Sequence, residues 1–394
     1  MHIVMVTSSF PRYDGDFFGP WVLEYSKELI RQGNEVTIVA PQSRSHDGPT
    51  IDVPGLSLVY FQYFTKGGGQ SLVSPPGLVP NLRKNPFLIF TVPFLLFNYY
   101  RSVKKIIKTK QVDVLHSQWA IPAGFVNTLL SKKYKIRHVV STLGAELYLP
   151  LKHVFSFVTK YVLKNCDALF AVSEQMKERA LRFDINPEKI KVLPNTVDPS
   201  RFLNVNPGYL RDQINIHDKR IILTIRRLVH EKRVIDLLQA FHKIDRDDSA
   251  LVIGGDGPLR GELEDYVAKH NLNNRVFFLG YIDSSDLPKY YADSEIYVLS
   301  SEQEGLSISL LESLASGLIT VSTDGTGSDD AITHGESGYL YDVADVDGLA
   351  DRLNSILDDD PANNARISAN AQARIAEDFS NQKIVGEWIK EYQG

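Results

Sequence analysis

Short runs of apolar and β-branched residues alternate with longer amphipathic segments along most of the chain. In the first half the runs predict strands at Ile3–Val6, Glu35–Val39, Val112–His116, His138–Ser141 and Ala168–Val172. The spacing of apolar positions between them predicts helices at Pro20–Arg31, Phe87–Ile107, Pro122–Leu130, Val154–Asn165 and Glu174–Leu181. Strands that are apolar at nearly every position and are separated by helices are typical of a parallel sheet covered on both faces.

The second half shows the same alternation. Strands are predicted at Arg220–Ile225, Ala250–Ile253, Val276–Leu279, Ile296–Leu299 and Ile319–Ser322. Helices are predicted at Val234–Ile244, Leu259–His270, Asp286–Tyr291, Leu306–Ser316 and Asp347–Leu357. A chain of 394 residues is long enough for two domains at roughly 150 residues each. The pattern therefore predicts two α/β domains, each built on a parallel sheet.

The alternation stops around residues 196–219, which are polar, contain Pro199 and Pro207, and have no sustained period. We interpret this segment as a linker between a first domain, 1–195, and a second domain, 220–379. The tail that follows is helical without strands. Residues 66–85 are rich in glycine and proline and predict a mobile loop.

Composition excludes some function classes. With a net charge of −5 and 43% apolar residues, the chain has the make-up of an ordinary globular protein, and nothing in it favours a nucleic-acid partner. The single cysteine, Cys166, cannot form an intramolecular disulfide, which favours a reducing, cytoplasmic setting. The first residues predict a buried strand and not a signal peptide. No apolar run reaches the roughly 18 residues that a membrane span needs.

Candidate chemistry lies where predicted strands end, because open α/β sheets bind ligands at the carboxyl ends of their strands. Glu304 and Glu312 are separated by seven residues and flank the start of a predicted helix. The free N–H groups of that helix start can bind an anion, and the two carboxylates can accept hydrogen bonds from sugar and ribose hydroxyls. The alternative is a capping glutamate followed by a solvated one.

Two further loops follow strands of the second half. One, Arg226–Arg233, gathers cations that suit a diphosphate, although a solvated basic turn would look the same. The other, Gly254–Leu259, is rich in glycine, which a tight turn explains as well as a ligand does. Because all three loops follow parallel strands of one domain, we expect them to converge on one edge of its sheet.

Taken together and in their order along the chain, these segments resemble the corresponding segments of the retaining glycosyltransferases of family 4. The resemblance covers nearly the whole chain and includes the Glu-x7-Glu motif, the Arg227/Lys232 pair, Gly255–Pro258, Phe278–Ile282 and Leu193–Asp198. It implies an α/β protein of the GT-B fold, with two facing Rossmann-like domains, parallel sheets and a central cleft. It also implies that the C-terminal helix, 380–394, packs back onto the first domain.

The resemblance also implies roles for single residues. Arg227 and Lys232 would bind the donor pyrophosphate and stabilise the leaving nucleotide diphosphate, and Glu304 would contact the donor sugar; these three are the implied catalytic residues. Glu312 would hold the ribose. The remaining implied donor contacts are Gly19, Gly257, Ile282, Leu306 and Ser307.

The chain departs from the family pattern at several positions. The family usually has glycine where Arg226, Arg233 and Thr196 stand, and histidine where Leu143 stands. Glu146 keeps a carboxylate in that last motif, so we carry it over as an acceptor-side residue. His116, after an earlier strand, is a second acceptor-side candidate, with a core histidine as the alternative.

The implied activity is hexosyl transfer from a nucleotide sugar to a glycan or lipid-linked acceptor, with retention of configuration and without a protein nucleophile. We expect no metal or other cofactor, because the only Asp-x-Asp, Asp345–Asp347, precedes a helix and suits an N-cap better. Two alternatives stay open: a nucleotide-sugar epimerase of the same fold, and a non-catalytic protein that binds nucleotide sugars.

Residues 86–110 combine large apolar side chains with a following cluster of lysine and arginine. Such a segment can lie in a membrane interface and favour anionic lipids. A core helix with a solvated basic end is the alternative. We expect peripheral contact with the cytoplasmic membrane face, which a lipid-linked acceptor would suit.

Overall fold

A computed structural model describes residues 1–13, 16, 18–42, 51–64, 68–75, 77–144, 146–148, 154–244 and 246–394. The strands are β1 His2–Val6, β2 Glu35–Pro41, β3 Leu56–Phe61, β4 Val114–Gln118, β5 Arg137–Thr142, β6 Ala168–Ala171, β7 Ile190–Val192, β8 Arg220–Ile225, β9 Ser249–Gly254, β10 Val276–Gly280, β11 Ile296–Leu299, β12 Ile319–Thr323 and β13 Tyr339–Tyr341. The helices are α1 Pro20–Arg31, α2 Leu78–Lys84, α3 Val92–Thr109, α4 Phe125–Tyr134, α5 Val154–Asn165, α6 Glu174–Leu181, α7 Tyr209–Ile214, α8 Val234–Lys243, α9 Arg260–Lys269, α10 Leu287–Ala292, α11 Ile308–Ala315, α12 Val346–Asp358, α13 Pro361–Asp378 and α14 Asn381–Gln393.

These elements form two compact units. The first comprises Met1–Leu193 together with Ile384–Gly394, and the second comprises Pro194–Lys383. Each unit is built on a parallel sheet, of seven strands in the order β3-β2-β1-β4-β5-β6-β7 and of six in the order β10-β9-β8-β11-β12-β13. The predicted α/β class with two Rossmann-like units is confirmed.

The first unit has an apolar core on each face of its sheet. One core includes Val4 and Val39 with Leu95 of α3, and the other includes Ile3 with side chains of α1 and α14. Trp388 of α14 lies with its ring 4.5 Å from the ring of Tyr25. The end of the chain therefore supplies part of the first unit's core, which burial of its aromatic side chains stabilises.

The second unit has its largest core where α8, α9 and α12 cover the sheet. Ile222, Leu251 and Ile296 from neighbouring strands meet Phe241 and Leu353 from the helices. All of these side chains are fully buried. This packing leaves the loops after β8, β9 and β11 together at the carboxyl edge of the sheet, since the strands are parallel and adjacent.

Three strands were not predicted, namely β3, β7 and β13. Each lies at the edge of its sheet. Two of them have three residues, and β3 is half-buried along most of its length. Edge strands bury less surface than central ones, so their sequences carry a weaker apolar pattern.

The segment 196–219, predicted as a linker, is a folded part of the second unit. It contains α7, whose first turn is held by the carboxylate of Asp293. That carboxylate accepts hydrogen bonds from the backbone N–H groups of Gly208, Leu210 and Arg211, at 2.6 Å for Leu210. Phe202 and Leu210 are buried. The sequence alone did not reveal this capping, because Asp293 lies far outside the segment.

The described part of the predicted mobile loop, 66–85, also has defined structure. It includes α2, and the side-chain amide of Asn81 donates to the carbonyl oxygens of Ser71, Leu72 and Ser74. Leu72 is fully buried. The loop prediction is therefore wrong for these residues; residues 66, 67 and 76 lie outside the described part.

Candidate functional site

A buried ion-pair cluster stands at the carboxyl edge of the second unit's sheet. Glu304, in the loop between β11 and α11, accepts three hydrogen bonds on its Oε1 atom: from Lys232 Nζ at 2.6 Å, from Arg226 Nη2 at 2.8 Å and from Ser301 Oγ at 2.9 Å. The exposed fractions are 13% for the Glu304 side chain, 22% for Lys232 and 3% for Arg226. We call these four residues the Glu304 cluster.

The loops after β8 and β9 are joined by backbone hydrogen bonds that fix the cluster. The N–H of Arg226 donates to Gly254 O at 2.9 Å, and that of Leu228 donates to Asp256 O at 3.0 Å. The loops approach so closely that a Cβ atom on Gly255 would lie 1.9 Å from Arg226 O, and one on Gly257 would lie 2.3 Å from Leu228 O. Glycine is therefore required here by packing alone. The donor-binding role of Gly257 stays a prediction.

The cluster carries one unit of excess positive charge. Burial acts to raise the pKa of Glu304, but the charges of Lys232 and Arg226 outweigh it and the pKa is lowered. Burial lowers the pKa of Lys232, against the opposing attraction of Glu304. One carboxylate thus faces two cations in a largely dry site, which is an arrangement that can bind a further anion.

The structure does not bring Arg227 into this cluster. Its side chain is exposed, and its guanidinium makes no hydrogen bond or ion pair to the described part of the chain. The neighbouring Arg226 turns inward instead and reaches Glu304. From the sequence, Arg226 counts among the cations of its loop and as a departure from glycine but has no assigned role, although two successive cations at a strand end are a signal that one of them could face the site. The diphosphate-binding role of Arg227 stays a prediction.

Glu312, the second glutamate of the motif, lies within α11, and its surroundings differ from those of Glu304. Its Oε2 accepts a hydrogen bond from the hydroxyl of Tyr291 at 3.1 Å. Burial raises the pKa of Glu312 to about 7, against the opposing charge of Arg201 and the bond from Tyr291. The two glutamates of one motif are therefore set to different protonation behaviour, and only Glu304 is held by cations.

The start of α11 lies beside the Glu304 cluster in sequence. The helix begins at Ile308, two residues later than predicted, and Ser307 is its N-cap residue. The Ser307 hydroxyl bonds to Ser309 Oγ at 2.9 Å and does not cap the helix N–H groups. Leu306 is buried, and its carbonyl oxygen accepts from the Asn195 side chain at 2.6 Å. The implied contacts of Leu306 and Ser307 with a donor remain predictions.

Two further residues implied as donor contacts have structural reasons for their positions. Ile282 follows β10 and packs against β9, since a Cβ atom on Gly254 would lie 2.7 Å from its Cδ1. Gly19 is the N-cap of α1 in the first unit, with φ of 83°, and a Cβ atom there would lie 2.4 Å from Ser9 O. Neither observation tests a role in donor binding.

In the first unit, Glu146 occupies a buried position after β5. Glu146 is 7% exposed, and neither of its carboxylate oxygens has a hydrogen-bond partner among the described residues. Burial raises the pKa of Glu146 to about 7, with nearby backbone N–H groups acting in the opposite direction. The indole Nε1 of Trp119 is also buried and without a partner within the described ranges. These unpaired polar atoms fit the predicted acceptor-side role, which stays a prediction.

His116 requires a correction. It is fully buried, its Nδ1 is 2.7 Å from the Tyr392 hydroxyl, and its Nε2 is 2.8 Å from Ser141 Oγ. Its ring contacts those of Phe170 and Trp388 edge to face. Burial lowers its pKa to about 3, so the ring is neutral. With both ring nitrogens engaged inside the core, His116 fits the alternative of a core histidine and not an acceptor-side residue.

The Asp-x-Asp segment is an N-cap, as predicted. Asp345 Oδ1 accepts from the backbone N–H of Gly348 at 2.9 Å at the start of α12, and Asp347 pairs with Lys243. Across the described ranges, no group of three His, Cys, Asp or Glu side chains is arranged to hold a metal ion.

An exposed aromatic surface runs along α3 and the 3₁₀ turn Pro86–Thr91 that precedes it. Phe87, Phe90, Phe94 and Phe97 recur at helical spacing, and we call them the aromatic stripe. They are 77%, 70%, 51% and 62% exposed, respectively. The opposite face of α3 is buried in the core. No helix in the described part of the chain is both long and apolar enough to span a membrane.

Two family models match consecutive regions of the chain. The model described as Glycosyltransferase Family 4 matches residues 20–201, and the model described as Glycosyl transferases group 1 matches residues 209–374. The N-acetyl-alpha-D-glucosaminyl L-malate synthase of Bacillus anthracis is 27% identical over 77% of this chain and 80% of its own length. The UDP-Gal:alpha-D-GlcNAc-diphosphoundecaprenol alpha-1,3-galactosyltransferase of Escherichia coli is 26% identical over 78% of this chain and 80% of its own length.

A solved structure shares the fold. Sucrose-phosphate synthase from Thermosynechococcus elongatus superposes with a TM-score of 0.81, is 21% identical, and covers 100% of this chain and 98% of its own. At this identity the likeness concerns the fold alone.

Proposed function

Because the chain belongs to glycosyltransferase family 4, the glycosyl transferases group 1, we propose that it transfers a hexose from a nucleotide sugar to a lipid-linked glycan acceptor. The chain is a glycosyltransferase. Its donor, its acceptor, the retention of configuration and the independence from metal are parts of the proposal.

The Glu304 cluster is the observation that carries the proposal. As the glycosidic bond of a nucleotide sugar stretches, negative charge grows on the leaving diphosphate. The excess positive charge of Lys232 and Arg226 would stabilise that charge most when it is largest, which accelerates the reaction and does not merely tighten binding. Lys232 Nζ lies 2.6 Å from Glu304 Oε1, so cation and sugar-binding carboxylate are already aligned before donor arrives.

The environment of Glu304 supports the part of the proposal that no protein nucleophile takes part, while retention of configuration is proposed from the family. Its Oε1 atom already accepts three hydrogen bonds, two of them from cations. A carboxylate so stabilised is a poor nucleophile, because attack on the sugar would remove the charge that the cations hold. We therefore assign Glu304 to the binding of sugar hydroxyls and attack to the acceptor hydroxyl, on the face that the diphosphate leaves.

Independence from metal rests on the same cations and on the Asp-x-Asp segment. Lys232 and Arg226 supply the positive charge that a divalent cation would otherwise bring to the diphosphate. Asp345 and Asp347 are already engaged, in a helix cap and an ion pair. We expect transfer to persist in EDTA; loss of activity that Mg²⁺ or Mn²⁺ restores would contradict this part of the proposal.

The aromatic stripe favours an acceptor held in a membrane. Four phenylalanines that are at least half exposed along α3 and the 3₁₀ turn before it can be buried favourably in a lipid interface. Arg101, Lys105 and Lys108 continue along α3 on its exposed side and complement anionic headgroups. The name of the Escherichia coli relative describes a diphosphoundecaprenol-linked acceptor. We propose that the stripe docks on an anionic membrane surface that carries such an acceptor.

Membrane docking is tested by co-sedimentation with vesicles of phosphatidylcholine, with and without phosphatidylglycerol. We expect binding to the anionic vesicles, and a loss of at least tenfold when Phe90 and Phe94 are both changed to serine. Leu203→Ser, which removes an apolar side chain that is 52% exposed in the second unit, is the control and should bind as the parent does. Equal sedimentation of all three proteins would contradict the docking surface.

The activity is tested by incubation with a panel of nucleotide sugars, with and without a diphosphoundecaprenol-linked sugar. A transferase releases nucleotide diphosphate only when acceptor is present, and NMR of the product gives the anomeric configuration. An epimerase would change the donor alone, and a binding protein would change nothing. The Bacillus anthracis relative is named for a malate acceptor, so L-malate serves as the comparison acceptor. Transfer to malate alone would contradict the lipid-linked acceptor.

A further inference from the structure

Three helices of the first unit, α3, α4 and α5, form one layer over its sheet. α4 contacts both α3 and α5. The connections through these helices, from β3 to β4, from β4 to β5 and from β5 to β6, all step in the same direction along the sheet. Right-handed crossovers of this kind place their helices on the same face. Because each helix leads directly into the next parallel strand, its first turns lie towards the carboxyl edge of the sheet. We call the outer side of this layer the α3–α5 face.

Every charged side chain of these three helices is a cation. α3 has one arginine and three lysines, α4 and α5 have two lysines each, and none of the three contains Asp or Glu. α1 and α14, which pack on the other face of the sheet, carry acidic and basic residues in equal number. Within the described ranges, only Asp184 pairs with cations of the α3–α5 face, namely Lys160 and Lys164, and its side chain is 75% exposed. The face therefore keeps an excess of positive charge.

Exposed apolar side chains extend beyond the aromatic stripe onto α4 and α5. Leu129 is 40% exposed, Phe157 is 65% exposed and Tyr161 is 38% exposed. The ring of Tyr161 lies 6.2 Å from that of Phe125, and Lys132 Nζ lies 4.9 Å from the centroid of the Tyr161 ring. The two helices thus present one apolar patch with a cation beside it.

The apolar and basic residues of the α3–α5 face are sorted along the helices. The apolar band comprises Phe94, Phe97, Leu129 and Phe157, and every Lys and Arg of the three helices lies C-terminal to the members of this band in its own helix. We call those cations the basic band. The helix dipole favours cations near helix C-termini, so the basic band alone has an ordinary explanation. Exposed apolar residues towards the N-termini of three neighbouring helices have no such explanation.

The charge of the face selects its occupant. A second copy of the chain would bring a face of the same positive charge against this one, and like charges repel. An anionic membrane offers hydrocarbon to the apolar band and negative headgroups to the basic band. Tyr161 stands beside Lys132, and a tyrosine with an apolar ring and a polar hydroxyl suits the boundary between hydrocarbon and headgroups.

We propose that the α3–α5 face docks as a whole on an anionic membrane, with the apolar band among the lipids and the basic band against the headgroups. This rests on the proposed function and deepens it, because the aromatic stripe becomes one part of a wider surface. It also orients the first unit, with the carboxyl edge of its sheet towards the bilayer. Glu146 follows β5 at that edge, on the side from which a lipid-linked acceptor would approach.

The extent of the surface is tested with changes outside the aromatic stripe. Leu129→Ser with Phe157→Ser is compared with the parent by co-sedimentation with vesicles of phosphatidylcholine and phosphatidylglycerol. We expect a loss of about tenfold in binding. Leu203→Ser with Val343→Ser is the matched control, because it removes two exposed apolar side chains from the second unit, and it should bind as the parent does. Phe157→Leu, which keeps an apolar side chain, should also bind as the parent does.

The outcomes separate this inference from the proposed function. Parent-like binding of the Leu129 and Phe157 double variant, beside a loss in the serine variant of the aromatic stripe, would overturn the inference and leave docking through the stripe intact. A parent that binds no vesicles would contradict both, while transfer to an acceptor in detergent would still test the activity. A parent that is dimeric in analytical ultracentrifugation without lipid, and monomeric in the double variant, would overturn the membrane as occupant in favour of a second copy.

The basic band is tested by Lys108→Gln with Lys133→Gln. Each change removes a cation that has no ion-pair partner in the described part of the chain, and we expect about tenfold weaker binding to the anionic vesicles at low salt. Lys383→Gln with Lys390→Gln removes the same charge from α14 and should have little effect. Equal losses in the two pairs would mean that only net charge matters and would overturn the assignment to this face.

The orientation is tested with an environment-sensitive fluorophore on single introduced cysteines. The native Cys166 is buried, so Phe157→Cys and Lys133→Cys are labelled selectively. On anionic vesicles we expect the label at 157 to be quenched by spin labels deep in the acyl chains, and the label at 133 by spin labels at the headgroups. The reverse order, or no quenching at 157, would overturn the proposed orientation.

Discussion

The strand ends of the two units hold a buried carboxylate each, in opposite electrostatic settings. Glu304 in the second unit faces two cations, which lower its pKa against the effect of burial. Glu146 in the first unit has no hydrogen-bond partner in the described part of the chain, and burial raises its pKa to about 7. The same topology thus provides one site suited to anions and one suited to neutral hydroxyls. This difference supports the proposal that the second unit binds the diphosphate and that the first unit binds acceptor hydroxyls.

The largest expected effect comes from removing a cation of the second unit. Lys232→Ala should lower kcat by roughly 10²–10³, the usual loss for one group that stabilises developing charge. The fold should persist, because Arg226 and Ser301 still hold Glu304. Nucleotide-release kinetics with a thermal melt of the same sample measure both. Parent-like kcat would show that the cluster is structural only.

Glu304→Gln should cost stability as well as activity. It leaves two buried cations without a counter-charge, a change that destabilises by on the order of 3 kcal/mol. At about 2–4 °C per kcal/mol, Tm should fall by roughly 6–12 °C. Because the folded pKa of Glu304 is lowered, its contribution is present above the unfolded pKa and is lost as pH falls through the folded value. The Tm difference should therefore shrink in acid; a difference independent of pH would contradict the ion-pair account.

Glu146→Gln should act in the opposite direction. Because its folded pKa is raised to about 7, the parent loses stability as pH rises from the unfolded value of about 4.5 through 7. At about pH 8 the glutamine variant should be more stable by on the order of 1–3 kcal/mol, and near pH 4 it should match the parent. Thermal melts across pH measure this. A variant that is less stable at high pH would indicate a cation partner for Glu146.

The smallest effect is expected for Glu312→Gln. Glutamine keeps the acceptor for the Tyr291 hydroxyl, so the fold should tolerate it. If Glu312 holds the ribose, donor affinity should fall about tenfold, the value of one such hydrogen bond, while kcat changes less. Glu304→Gln should show the reverse split, with kcat affected more than affinity. Donor titration and steady-state kinetics on both variants measure the two splits. If Glu312→Gln and Glu304→Gln change donor affinity and kcat in the same proportion, the two glutamates do not have separate roles.

The fold could be predicted from the sequence wherever burial on both faces made the pattern strong. The central strands, such as Arg220–Ile225 and Ile296–Leu299, have their predicted limits. Three of the four edge strands, β3, β7 and β13, were missed, because a strand with a neighbour on one side only buries less surface and its sequence carries a weaker apolar pattern. Helix α7 was missed because its capping carboxylate, Asp293, lies 83 residues away from Leu210 in sequence.

The site was only partly predictable for the same reason. Glu304 and Lys232 were expected together and are 2.6 Å apart. Whether Arg226 or Arg227 turns inward depends on the twist of the backbone at the end of β8. The pattern of apolar and polar residues does not show that twist. The environment of His116 depends on Tyr392, 276 residues away, so no local signal could separate a core histidine from a ligand-binding one.

The chain's order of synthesis has a consequence for the first unit. Residues 384–394 complete its core, with Trp388 against Tyr25 and Tyr392 against His116. Residues 384–394 are translated only after the whole second unit, Pro194–Lys383. The first unit therefore keeps an open apolar face while the second unit is being synthesised. Although its sequence begins first, the N-terminal unit cannot complete its core until residues 384–394 return to it.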